Sequence, residues 1–569
     1  KACGIVGSLE IGEDIYAQVK KQGLLQKDVT LGTALVDMYA KCGIIEKALE
    51  VFQQLRGRNV ATWTALITGY VQHGRSQDAL KWFRQMKDEG LSPDSVTYIC
   101  ILKACSSVSL EIGEDIDAEV RKQGLLQKDI VLGNTLVDMY AKCGAIEKAR
   151  EVFEQLSSKD VVSWNVMISG YAQHGLGKEA LGCFKQMKQE RVTPSVVTYI
   201  FLLKACSIVG SLNIGEDIHA EVKEQGLLQK DIVLGTTLVD MYAKCGALDA
   251  ARKVFEQLPM QNVASWTALI TGYAQHGFGH EALKCFKQMQ MEGFRPDAVT
   301  YICILKACGI VKSLGIGEDI HAEIRKQGLL QNDVVLGTAL VDMYSKCGEL
   351  EKAIKVFEHL PVRNVVSWSA MITAYSQHGD SSSAIELFKK MQVQGLKLDK
   401  VMVSAVIKAY ALLGDLVQGM LIHHESVHDG FDLDCIVRNT LVDMYAKCGS
   451  VRDAEQLFFS GLSTCDIVSW GVMVEAYAQC GDCLNAVQLF EKMQLHGIEP
   501  NASIFVSVLK ACSSNIQQGR QIHEQVIRCG FHTDKTVCNA LIDMYVKCGL
   551  ILEAQDVFDK LPVQDVVSW

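Results

Sequence analysis

The sequence predicts an all-α fold, an α-α superhelix in which helix-turn-helix units stack into a solenoid. Three observations predict it. Tryptophans recur at Trp63, Trp164, Trp266, Trp368, Trp470 and Trp569, at intervals of 101, 102, 102, 102 and 99 residues. The block KAC recurs from Lys1, Lys103, Lys204, Lys306 and Lys510, and MYAKCG or a close variant from Met38, Met139, Met241, Met343, Met444 and Met544. Each unit of roughly 101 residues divides into three pieces of one plan: an apolar helix, a break near glycine, and an amphipathic helix. A lone helix pair cannot bury both faces, so neighbours must stack.

The pieces are legible one by one. The short piece Ile232–Asn262 places Leu234, Leu238, Met241 and Tyr242 on one helical face. Cys245-Gly246 makes the turn, and Ala251, Val254, Phe255 and Leu258 mark the second helix at i, i+3, i+4, i+7. A middle piece, Val161–Ser195, and a long piece, Val196–Asp231, repeat the plan in 35 and 36 residues against 31 for the short one. The expectation is one solenoid over residues 1–569: a partial long repeat at 1–28, sixteen complete repeats at 29–565, and the start of another at 566–569. Both ends fall inside repeats, so the chain reads as part of a longer protein, and a missing targeting segment says nothing about location.

Composition narrows the function. Of 569 residues, 49% are hydrophobic and only 7 are proline, as in a folded chain without long disordered linkers. Lys+Arg 56 against Asp+Glu 66 leaves a net charge of −10, which excludes binding nucleic acid through bulk positive charge. No run of 18 uninterrupted apolar residues occurs, so no membrane partner is expected.

Helix pairs of 31 to 36 residues carrying WNVMISGYAQHG, NTLVDMYAKCG and EALKCFKQM resemble pentatricopeptide repeat proteins over the whole chain. The cycling of three lengths looks like the PLS subclass of land plants. The resemblance implies a right-handed solenoid that binds single-stranded RNA along its concave face, one nucleotide per repeat. It also implies a chloroplast or mitochondrial location, a role in organellar C-to-U RNA editing or RNA processing, and editing-complex proteins as partners.

The repeats can be compared with one another. In short and middle pieces the fifth residue and the last vary within a narrow polar set. In chain order the pairs are Thr33/Asn59, Thr64/Asp94, Asn134/Asp160, Asn165/Ser195, Thr236/Asn262, Thr267/Asp297, Thr338/Asn364, Ser369/Asp399, Asn439/Asp466, Gly471/Asn501 and Asn539/Asp565. Short hydrogen-bonding groups suit base-edge reading. A carboxylate accepts from the imino N–H of guanine or uracil, whereas an amide or hydroxyl serves adenine or cytosine. The resemblance implies that a fifth Thr or Ser favours purines and a fifth Asn pyrimidines, and that the last residue separates G from A and U from C. Carried over, the pairs imply 5′-AGNUCNAGNAGNUNNU-3′, with the long repeats silent and the Gly471/Asn501 base open. The competing reading is that the last residue only caps the next helix. The long pieces favour it: they end in Asp129, Asp231, Asp333, Asp434 and Asp534, while their fifth residues are Ile99, Ile200, Ile302, Ser404 and Val506.

In the family the second residue packs against base faces. Val131, Val162, Val233, Val335, Val366, Ile436 and Val468 fit that role, and Thr30, Ala61, Ala264 and Thr536 offer weaker surfaces. Lys41, Lys142, Lys244, Lys346, Lys447 and Lys547 recur near the end of the first helix of each short piece. The resemblance implies that they face phosphates; the plain alternative is complementing the helix dipole.

Catalysis, cofactors, metals and small-molecule substrates are not expected. Eleven of the 21 cysteines occupy KAC and KCG scaffold positions, Cys3, Cys105, Cys206, Cys308 and Cys512 among them, which reads as packing rather than disulfide pairing. The HxE matches at His219, His321 and His423 recur as scaffold, and Cys480-Gly481-Asp482-Cys483 follows Gln479 where a zinc deaminase needs Pro. His73, His174, His276 and His378 sit in a repeated QHG turn without triad partners. A tetratricopeptide-like protein adaptor is the alternative function. Its concave positions would vary in size and charge, unlike the Thr, Asn, Ser and Asp set seen here.

Overall fold

The computed structural model describes residues 9–26, 28–331, 333–461 and 466–560. Every element of regular structure among them is helical. A short repeat pairs a helix such as Ile232–Lys244 with Leu248–Gln257. A middle repeat pairs Val161–Gln173 with Gly177–Gln189, and a long one Val196–Val209 with Leu212–Glu224. No described helix is long and apolar enough to cross a membrane.

The chain forms two compact units. One runs through His276 and takes in Cys285–Arg295; the other comprises Gly277–Lys284 and the chain from Pro296 onward. Within each unit a first helix packs against its own second helix and against the first helix of the following repeat. This is α-α solenoid packing, built from sequence-adjacent contacts.

Three recurring contacts explain why the same residues return. At each short-to-middle junction a tryptophan meets a phenylalanine of the preceding second helix edge-on. Phe52–Trp63, Phe153–Trp164 and Phe255–Trp266 have ring centroids 4.7, 4.9 and 4.5 Å apart, and the tryptophans are buried. At the turn of the short repeat Gly246 adopts φ +80°, which lets Ala247 N–H reach back 3.0 Å to the Tyr242 carbonyl and close the helix. The QHG histidines serve the same ends: His174 and His378 place Nε2 2.7 and 2.9 Å from the Ala141 and Ser345 carbonyl oxygens of the preceding repeat.

The long-to-short junction has its own clasp. His219, His321, His423 and His523 each place Nδ1 2.7 to 2.9 Å from the hydroxyl of Tyr242, Tyr344, Tyr445 and Tyr545. The HxE matches are therefore inter-repeat clasps, and among the described residues no group of His, Cys, Asp and Glu is arranged to hold a metal ion. Cys105, Cys206 and Cys308 are buried, and burial pushes each thiol up to about 12. Cys3 lies outside the described residues.

At the same junction a second-helix glycine lets Met139, Met241, Met343, Met444 or Met544 lie against its backbone. A Cβ on Gly215 would stand 2.5 Å from Met241 Sδ, and the other copies are as tight. Gly215→Ala is expected to cost about 1–3 kcal/mol by overpacking, read as a lowered midpoint in thermal unfolding followed by circular dichroism. A second expectation concerns pH. Burial holds all four clasp histidines below the ordinary value of 6.5. The unfolded chain then takes up protons below pH 6.5 before the folded chain does, so stability is complete above that pH and falls as the pH drops. Replacing the four by glutamine is expected to flatten that part of the melting-temperature profile.

Candidate nucleic-acid interface

Each first helix starts on the last residue of the preceding repeat. Asn59, Asp94, Asp160, Ser195, Asn262, Asp297, Asn364, Asp399, Asp466 and Asn501 all sit at N-cap positions in extended conformation and accept a backbone N–H with the side chain. Capping is thus real at every described position; Asp565 lies outside the described residues. What matters is which atom does it. In Asp94, Asp160 and Asp466 the backbone N–H and side-chain hydroxyl of Thr97, Ser163 and Ser469 both donate to Oδ1, at 2.6 to 2.9 Å. Asn59 and Asn262 cap through Oδ1 as well, at 3.0 and 2.8 Å. The second head-group atom, Oδ2 in Asp and Nδ2 in Asn, is not used by the cap. One is an acceptor and the other a donor.

The fifth residue of the same repeat stands beside this cap. Asn134 Nδ2 donates to Asp160 Oδ1 at 3.4 Å, Asn165 Nδ2 to Ser195 Oγ at 3.2 Å, and Ser369 Oγ to Asp399 Oδ1 at 3.2 Å. Thr33 and Thr64 reach their partners through an intermediary: their hydroxyls lie 2.7 and 2.6 Å from those of Thr62 and Thr97, which donate to Asn59 and Asp94. Thr236 and Thr338 donate to the Ile232 and Val334 carbonyls. Thr267 lies on the helix Val263–Gln275 of the first unit, whereas Asp297 caps Ala298–Val311 in the second. Asn439 contributes a hydrogen bond to Asp466, whose carboxyl is held low chiefly by the Ser469 backbone N–H. Asn539 closes the series. In Asn134 and Asn539 the side-chain Oδ1 is buried without a partner, an arrangement that costs free energy unless something else fills it.

The third residue of the following repeat, Thr62, Thr97, Ser163, Thr198 or Ser469, is a part of the site that sequence reasoning missed. Its signal was its constancy as Ser or Thr beside the buried Trp or Tyr.

The second residues line the same edge. Val131, Val162, Val233, Val335, Val366, Ile436 and Val468 are 50 to 70% exposed, unusual for β-branched residues on helices whose next turns are buried. The row continues through the long repeats at Val96, Val197, Val299 and Val401. One complete niche shows the assembly. A cavity of about 320 Å³ is lined by Val131, Asn134, Thr135, Asp138, Asp160, Val162 and Val166, with Lys103 from the preceding long repeat. Two exposed valines, Val131 and Val162, flank the polar side chains of Asn134, Thr135, Asp138 and Asp160 in it.

The lysine row differs from a row of free cations. Lys41, Lys142, Lys244, Lys346, Lys447 and Lys547 each donate to an aspartate one turn earlier, Asp37, Asp138, Asp240, Asp342, Asp443 and Asp543, at 2.7 to 2.8 Å. Each pair is neutral as a unit, so an incoming anion competes with a carboxylate. The KAC lysines Lys103 and Lys204 also line cavities, Lys204 together with the Lys244–Asp240 pair. Replacing Asp138, Asp240 and Asp342 by Asn is expected to strengthen anion binding and steepen its dependence on salt, measured as the slope of log affinity against log salt concentration for a single-stranded RNA.

Stacked helix pairs with a capped polar edge define an α-helical repeat protein whose capped polar positions recur along the chain. The repeat pattern described as "PPR repeat family" matches residues 58–107, 159–207, 261–309 and 363–411. The one described as "PPR repeat" matches 33–60, 134–161, 236–263, 338–365, 436–460, 468–498 and 536–566. The chain belongs to the pentatricopeptide repeat family. A mitochondrial pentatricopeptide repeat-containing protein of Arabidopsis thaliana is 34% identical over 98% of this chain and 54% of its own length. Another from the same plant is 34% identical over 98% of this chain and 67% of its own length, and a chloroplastic one 31% identical over 82% and 58%. The chain thus spans about half to two thirds of the length of these relatives. The crystal structure of the pentatricopeptide repeat protein PPR10 from maize aligns over 98% of this chain and 87% of its own, with 20% identity and a TM-score of 0.55. PPR10 in complex with an 18-nt psaJ RNA element aligns over 93% and 83%, with 21% identity and a TM-score of 0.56.

Proposed function

We propose that this chain binds single-stranded RNA in a sequence-specific manner, one nucleotide per repeat, through the fifth and last residues of its short and middle repeats. The observation that carries the reading is the division of labour at the cap. Oδ1 holds the next helix and, in Asp160, also accepts from the fifth residue, which leaves the outer atom of the side chain uncommitted to the cap, an acceptor in Asp and a donor in Asn. An acceptor suits the imino N–H of guanine or uracil, and a donor suits the ring nitrogen of adenine or cytosine. The exposed second-position valines supply apolar faces above and below a base, and the unpartnered Asn134 and Asn539 oxygens supply acceptors awaiting a ligand. RNA in the complex of its structural relative PPR10 is in keeping with this reading.

The sequence read is 5′-AGNUCNAGNAGNUNNU-3′, with the N-terminal repeat at the 5′ end. The three repeat lengths favour the PLS subclass, and the mitochondrial and chloroplastic names of relatives favour an organellar RNA as the target. In this reading the chain is the recognition tract of an editing or RNA-processing factor, working beside editing-complex proteins, and does no chemistry itself.

The test is fluorescence anisotropy with the 16-nucleotide RNA and with a control in which A/G and U/C are exchanged at the coded positions, at one moderate salt concentration. The proposed RNA is expected to bind at least about tenfold more tightly, the worth of one or two good base contacts. Asp160→Asn keeps the cap and is expected to shift preference at the fourth nucleotide from U to C. Equal binding of both RNAs would remove the base-reading claim and leave a capping role with a protein-adaptor function.

A further inference from the structure

Away from the first-helix starts that carry the fifth and last residues, a cavity of about 540 Å³ opens between the second helices Leu314–Lys326 and Leu350–Glu358. It lies wholly in the unit from Pro296 onward. Tyr344, Val356 and Leu360 are buried and give it an apolar back, with Leu330 and Pro361 beside them. Arg325, Lys352 and Lys355 line the same space, and among the described residues no Asp or Glu does so. Three cations around one apolar hollow stand out in a chain of net charge −10.

An earlier copy of the same junction shows what is unusual here. Aligned on the clasp tyrosines Tyr344 and Tyr140, the residues His321, Arg325, Lys352, Lys355 and His359 correspond to Asp117, Arg121, Lys148, Glu151 and Gln155. In the earlier copy Arg121 Nε donates to Asp117 Oδ1 at 2.7 Å, and the guanidinium donates again to Gln155 Oε1, so the arginine is fully engaged. Glu151 also puts a negative charge where Lys355 puts a positive one. In the later copy histidines replace both acceptors. His321 Nδ1 lies 2.8 Å from the Tyr344 hydroxyl and His359 Nδ1 2.6 Å from the Lys355 carbonyl oxygen. Lys352 is held by Glu318 and Glu349 at 2.6 and 3.2 Å, whereas Arg325 and Lys355 have no ion-pair partner among the described residues.

We propose that this cavity binds a small organic phosphate, a phosphate monoester of mononucleotide size with a flat or apolar body. The planar fork of Arg325 matches two phosphate oxygens at once, and Lys355 adds a point charge. A phosphate monoester carries close to two negative charges at neutral pH, which balances the two unpaired cations; a carboxylate balances one. The body of the ligand leaves water against Tyr344, Val356 and Leu360, a gain that inorganic phosphate lacks. A volume of about 540 Å³ falls in the ordinary range for small-molecule sites. The site lies on the second helices and does not rest on the RNA reading above.

Isothermal titration calorimetry of the whole chain with AMP, adenosine and inorganic phosphate, at one moderate salt concentration, tests the proposal. AMP is expected to bind at least about tenfold more tightly than either fragment, because only AMP engages both the cations and the apolar back. His321→Asp combined with Lys355→Glu restores the residue types of the earlier copy. The tyrosine clasp has a counterpart there, since the Tyr140 hydroxyl donates to Asp117 Oδ2 at 2.9 Å, so folding is retained and is checked by the thermal midpoint. The double variant is expected to lose AMP affinity at least about tenfold. Arg325→Gln, an exposed substitution, reads the same loss if the double variant melts early. AMP is itself a nucleotide, so the capped polar edge is the competing location, and loss through these substitutions assigns binding to this cavity. No heat of AMP binding, a fragment that binds as tightly as AMP, or an affinity that the substitutions leave unchanged overturns the proposal.

Discussion

The bond between the last residue of one repeat and the first turn of the next helix shapes both the helix start and the polar edge beside it. An N-cap contributes about 1 kcal/mol, a modest amount taken singly. Its geometric effect is larger. With Oδ1 of Asp160 tied to the Ser163 N–H and hydroxyl, the side chain has one orientation, and its other oxygen has one direction. In an Asp or Asn cap the outer atom is an acceptor or a donor, whereas Ser195 has one oxygen, which both caps Thr198 and accepts from Asn165. In the proposed reading, helix capping and base contact share an Asp or Asn side chain through different atoms of it.

Charge follows a similar economy. A chain with a net charge of −10 repels a polyanion at long range, and the recurring lysines sit in ion pairs with an aspartate one turn away. Exposed pairs of this kind add little stability, on the order of 0.3–0.5 kcal/mol each. Their consequence is to keep the edge from binding anions indiscriminately. Specific contacts, rather than bulk attraction, then carry the larger share of any affinity for an anion.

Much of this was legible before any coordinates. The Trp and Gly periodicities announced the helix pairs, since each marks a contact remade at every junction, such as Phe153 on Trp164 or Gly215 on Met241. The polar pairs were visible as positions that vary while the scaffold does not. The Lys142–Asp138 pairing was visible too, as an i, i+4 spacing, but the spacing alone does not say whether the lysine turns to its own helix or to a ligand. The Ser/Thr at the third position was passed over because its role is relational: Thr97 matters only once Thr64 of the preceding repeat is placed 2.6 Å away.

The sequence by itself determined the helix pairs, their order and the identity of the variable polar positions, because a repeat of local contacts is written at fixed intervals along the chain. Tertiary structure alone decided which atoms remain uncommitted. Which oxygen of Asp160 Asn134 meets, and whether Asn134 Oδ1 lacks a partner, depend on packing between residues 26 positions apart. Hydrogen-bonding capacity is a property of an atom's surroundings, and no residue name records what its neighbours have already taken.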